Sequence, residues 1–106
     1  MENPTTILEA VKEIIIGRGE RYDFVEGNKV EHSFPLAAEI ASLRLSRQFH
    51  AYEIAVIMAC VKQARCRATP GHTDSHYDMI AYDAFAASFA DDYALWFRQH
   101  NKKVDL

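Results

Sequence analysis

The chain has 106 residues, enough for one domain with a single core. Apolar residues make up 49% and charged residues 25%, with four glycines and three prolines, a balance that favours packed helices over a turn-rich β-sandwich. The formal charge of -3, without a long basic run, argues against generic nucleic-acid binding, which rests on clustered Lys and Arg neutralising phosphates.

The first helix is expected over residues 6–16. Thr6 with Glu9 fits a capping box, and Ile7, Leu8, Val11, Ile14 and Ile15 share one face. Gly17 and Gly19 are expected to stop it, since glycine accepts the left-handed conformation found at helix ends. Residues 18–32 show neither helical nor strand period. With a turn at Gly27 and Asn28, they form either a short hairpin between residues 22–25 and 29–30 or an irregular loop. A loop of about fifteen residues is long for a compact domain, which marks this segment as a functional candidate.

The second helix is expected to begin at residues 33–36, with Ser33 capping and Pro35 in the first turn. Its apolar face is read as Leu36, Ala37, Ile40, Ala41 and Leu43, and Arg44 and Arg47 lie near its end. The third helix, residues 51–67, contains the uninterrupted apolar run 54–61 and is expected to be buried on several sides. Cys60 and Cys66 on it point in different directions and cannot bridge. Residues 69–73 make a turn. The fourth helix follows over 75–99, with Ser75 and Asp78 as a capping box, and a polar tail occupies 100–106.

The expected fold is therefore all-α: one four-helix bundle-like domain spanning 1–106, with its core in 6–99. A long loop or short β-ribbon joins helices 1 and 2, and helices 3 and 4 form an antiparallel hairpin. In that hairpin, facing residue numbers sum to about 141. The rule leaves Tyr93, Trp96 and Phe97 overhanging the third helix, and an aromatic overhang is expected to pack on helix 1 or form a homodimer contact. No run approaches the ~20 apolar residues that span a bilayer, and no signal-peptide pattern opens the chain. A cytoplasmic protein with reduced cysteines is expected, with no membrane or nucleic-acid partner.

The same rule brings Lys62 toward Asp78 and Arg65 toward Ser75 and His76. Asp74, Asp78 and Tyr82 share the opposing face. A cluster of Lys62, Arg65, Asp74 and Asp78 is expected, with Tyr82 one turn further on. It either satisfies the cations that end an apolar helix or forms a phosphate or carboxylate pocket, with Arg65 as bidentate donor and Arg18, Arg21 and Tyr22 completing it from the loop. His72, Asp74, His76 and Asp78 alternate, but that spacing does not converge on a helix, so no metal and no cofactor is expected. Cys66 ends a helix, which opposes thiolate formation, and no Ser carries a nucleophile signature, so no catalytic residue is assigned. His32, His50 and His100 read as solvated or locally hydrogen-bonded.

The run from Glu53 to Met58, continuing to Lys62-Gln63-Ala64-Arg65, resembles a family of small all-helical domains of unknown function encoded mainly by bacteriophages and prophages. Asp74-Ser75 with Asp78 and Tyr82 is similar to that family's second signature, and Gly17, Arg18 and Tyr22 to its loop. The likeness covers residues 7–90, with Asp23 standing where the family usually has Gly. More distantly, the layout looks like the MazG-like all-helical NTP pyrophosphohydrolases. Those hold Mg²⁺ with Glu-x-x-Glu and Glu-x-x-Asp, where this chain has Lys62-x-x-Arg65 and Ser75-x-x-Asp78. The phage-encoded family has no established activity. The aromatic overhang of helix 4, the missing metal carboxylates and the acidic balance lead to the expectation of a non-catalytic phage or prophage accessory protein that binds a protein partner or a phosphate-bearing small molecule. The alternative is a nucleotide pyrophosphohydrolase or nucleotide-binding protein with a degenerate metal site, which would need acids such as Glu26, Glu31, Glu39 or Glu53.

Overall fold

The computed structural model describes residues 3–22 and 30–100, with side chains for residues 3–16 and 33–100. Four helices follow one another: α1 (Pro4–Tyr22), α2 (Val30–Leu45), α3 (Ala51–Ala68) and α4 (Thr73–His100). There is no strand among the described residues. α3 and α4 form the expected antiparallel hairpin and make the most extensive contact in the fold. α2 packs on α3, and α1 packs on α4.

α1 begins earlier than the expected capping box. Asn3 is the cap: its Oδ1 accepts the Thr6 N–H at 2.8 Å, and Pro4 takes the first helical position, where its missing N–H costs nothing. The helix also ends later, running through Gly17 and Gly19 to Tyr22. Glycine permits a left-handed residue without imposing one, and inside a helix it costs only about 1 kcal/mol against alanine. The backbone of Arg18, Arg21 and Tyr22 is thus helical, while their side chains lie outside the described residues. So does the expected turn at Gly27 and Asn28.

α2 likewise starts before the expected Ser33 cap, at Val30, and holds Pro35 inside it. Its rotation is the larger correction. Phe34 and Ala38 are the buried residues, whereas Leu36 is 55%, Ile40 48% and Leu43 82% exposed. The aromatic ring decides the matter. Phe34 enters the groove between α3 and α4, with its centroid 4.9 Å from Phe85, 5.9 Å from Phe89 and 6.2 Å from Tyr82. Residues 36, 40 and 43 lie two positions beyond 34, 38 and 41. Two residues turn a helix by roughly 200°, so seating Phe34 swings those aliphatics outward.

The core is built from small residues under large rings. Ala51, Ala55 and Ala86 are buried with Phe34, and Tyr52, Ile54, Val56, Tyr82, Phe85 and Phe89 pack around them. Ala51, Ala55 and Ala59 recur every four residues and form a buried stripe along α3. α3 is nevertheless not buried on all sides: Ile57 and Val61 are nearly half exposed and Cys60 faces solvent. Cys66 is buried, and both thiols are free.

Between α2 and α3 the chain turns sharply at Ser46, whose φ of 57° is left-handed. Ser42 holds the turn: its Oγ donates to the Ala38 carbonyl at 2.7 Å and accepts the Phe49 N–H at 2.9 Å. That geometry delivers His50 to the start of α3.

Candidate functional site

Two polar features lie at opposite ends of the α3/α4 hairpin. At the closed end, Lys62 Nζ is 3.0 Å from Asp78 Oδ2, with side chains only 16% and 10% exposed. Lys62 is not the sole partner of Asp78. One turn earlier, Ser75 is 1% exposed, and its hydroxyl is 2.7 Å from His72 Nδ1. His76 Nε2 is 2.8 Å from the Pro70 carbonyl and so donates to it. This end therefore ties the interhelical turn to the first turns of α4.

The expected four-membered cluster is thus a pair among the described residues. Arg65 and Asp74 are exposed and form no ion pair there. Tyr82 does not cap the pair; its ring meets Phe34 edge-on in the core. Arg65 contributes through its backbone, where its carbonyl accepts the Thr69 N–H at 2.8 Å and closes α3. Among the described residues no three of His, Cys, Asp and Glu come together in a way that could hold a metal ion.

At the open end sits a constellation that the sequence reading passed over. His50 is buried and caps α3: its Nδ1 accepts the Tyr52 N–H at 3.0 Å, while Glu53 Oε1 accepts the His50 N–H at 2.9 Å. An amide can only donate, so Nδ1 is unprotonated. Nε2 then carries the proton and donates to Asp92 Oδ2 at 2.6 Å. Both ring nitrogens are used, so His50 has no lone pair left for general base work. The local hydrogen bond expected of His50 is present, and its second bond makes it the pin between the start of α3 and the far part of α4. The signal was present: Glu53 stands three residues after His50, the capping-box spacing, and 50 and 92 satisfy the hairpin sum.

Rings extend from this pin. Tyr52 stacks on Tyr93 at 4.4 Å, and His50 lies 5.3 Å from Tyr93 and 5.5 Å from Trp96. Trp96 stacks on His100 at 4.3 Å, and Phe97 tilts against Tyr93 at 5.8 Å. Arg47 lies outside α2; its guanidinium sits 3.8 Å above the Phe49 ring and 3.5 Å from Glu53. Burial, with Glu53 and Tyr52 nearby, holds the Tyr93 phenol above its ordinary pKa, and Arg47 opposes the shift. The overhanging aromatics are therefore partly covered by the chain itself, leaving Leu95 and Phe97 exposed at 57% and 47%. An open groove of about 610 Å³ runs beside this end, lined by Ala38, Leu43, Phe49, His50 and Phe89 among others.

No described helix is long and apolar enough to cross a membrane. Neither a curated protein nor a solved structure matches the chain. Residues 6–90 match a family model described as a domain of unknown function, DUF6378, and with most of its length covered the chain belongs to that family.

Proposed function

We propose that this protein is a non-catalytic accessory module, of the kind phages and prophages encode, and that it acts in the host cytoplasm by binding a protein partner. The supporting observation is the far end of α4, where exposed Phe97 tilts against the half-buried ring of Tyr93, itself stacked with Trp96. Rigid aromatic groups beside a buried hydrogen-bonded pin are the composition that interface centres favour. A homodimer through Tyr93, Trp96 and Phe97 is a narrower form of this reading. Tyr93 stacks on Tyr52 and Trp96 on His100, while Phe97 stays exposed and is the ring most open to a partner.

A phosphorylated ligand would have to rely on Arg65, with Arg18 and Arg21 of α1, since Lys62 is paired with Asp78. A MazG-like nucleotide reaction is opposed by the same pair. In the distant likeness to those enzymes, Lys62 falls where they carry a Mg²⁺-binding carboxylate, and its ammonium beside Asp78 would repel the metal.

Affinity capture with the wild type and the Leu95→Asp/Phe97→Asp variant tests the proposal. The expected result is one discrete partner retained by the wild type and lost from the variant at unchanged melting temperature. Identical profiles from both would refute it.

A further inference from the structure

Seating Phe34 in the core leaves Leu36, Ile40 and Leu43 as an aliphatic row on the outer face of α2, spaced four and then three residues apart. This is the spacing of a coiled-coil seam. In heptad terms Leu36 and Leu43 occupy d and Ile40 occupies a, and an aliphatic β-branched residue at a with leucine at d is the combination that favours two parallel strands. Glu39 then falls at g and Arg44 at the following e, on opposite flanks of the row. Both are exposed and form no ion pair among the described residues.

From this we infer that α2 is the seam of a parallel homodimer, in which Glu39 of each copy pairs with Arg44 of the other. The occupant follows from the charges. In a parallel, in-register pair, g of one helix faces e of the next heptad in its neighbour, so the acid on one flank meets the base on the other, twice per dimer. An antiparallel pair would set acidic flank against acidic flank. A two-fold axis also places each d leucine against its own copy, which makes the row self-complementary.

The seam is short, since α2 has 16 residues. A weak dimer is expected, with Kd on the order of 10 µM. Glu39 and Leu43 also line the groove at the open end of the hairpin, but the inference does not depend on the role proposed for the far end of α4.

Sedimentation equilibrium on the full chain tests it. The wild type is expected to be dimeric at roughly 200 µM, well above that Kd. Ile40→Asp is expected to be monomeric with unchanged helical content, because the residue is already half exposed in the single copy. Glu39→Arg and Arg44→Glu should each weaken association roughly tenfold, and the double reversal should restore it. In a Cys60→Ser background, Leu43→Cys should form a disulfide with itself under mild oxidation, since the parallel, in-register pair sets residue 43 against its own copy. A monomeric wild type at roughly 1 mM would overturn the inference. So would charge reversals without effect, or a dimer that Phe97→Asp dissociates and Ile40→Asp does not.

Discussion

Lys62 and Asp78 meet at 3.0 Å across the α3/α4 hairpin, both largely withdrawn from water. Breaking such a pair leaves one charge unpaired, which costs more than the pair contributes when whole. Asp78→Ala should therefore destabilise the fold by about 3 kcal/mol, seen as a fall in Tm of roughly 15 °C for a domain of this size. The apolar replacement Lys62→Met/Asp78→Leu should recover most of that loss. An unchanged Tm in Asp78→Ala would show that the charges are solvated and dispensable.

His50 holds the other end. Removing its ring in His50→Ala takes away the α3 cap and the bond to Asp92, and should cost about 2 kcal/mol. Asp92 is mostly exposed, so water replaces it in part, and Asp92→Ala should cost nearer 1 kcal/mol. In a double-mutant cycle by chemical denaturation, the two changes should be less than additive. Full additivity would mean that the contact contributes nothing.

The Tyr93 phenol supplies a pH signature. Its pKa is raised in the fold by burial and by the nearby Glu53, so the unfolded chain loses that proton first as pH rises. The contribution is present below the unfolded tyrosine value of about 10 and is lost as pH climbs through the folded one. An alkaline absorbance titration of wild type against Tyr93→Phe should show this phenol ionising above the usual range. Glu53→Gln should move it back down. A normal titration for Tyr93 would contradict the described packing.

Phe34 tests the rotation of α2. Phe34→Ala should cost about 4 kcal/mol, the range for emptying an aromatic core site. Leu36→Ala should change stability by less than about 0.5 kcal/mol at concentrations where the chain is monomeric. The opposite ranking would restore the face read from the sequence.

The hairpin was legible because one long apolar helix, a Pro-Gly turn and a second long helix leave a single register, and that register alone located Lys62 against Asp78. α2 was misread because its aliphatics repeat at helical spacing on both faces. Only the volume of Phe34, which needs a groove made by two other helices, decides which face turns inward. α1 ran past its glycines because propensity gives a cost and not a stop. His50 was missed because histidine is a rare cap, and its partner Asp92 lies 42 residues away. Arg65 and Asp74 stand near the ends of their helices, where proximity in register does not oblige exposed side chains to meet.

The proposed role is binding of a protein partner rather than nucleotide processing. Calorimetry with nucleoside triphosphates, with and without Mg²⁺, followed by a pyrophosphate assay, tests it most directly. No metal-dependent heat and no released pyrophosphate are expected, because the Asp78 carboxylate is paired with the Lys62 ammonium, and a cation beside it repels Mg²⁺. Metal-dependent binding followed by pyrophosphate release, lost in Asp78→Asn, would contradict the account.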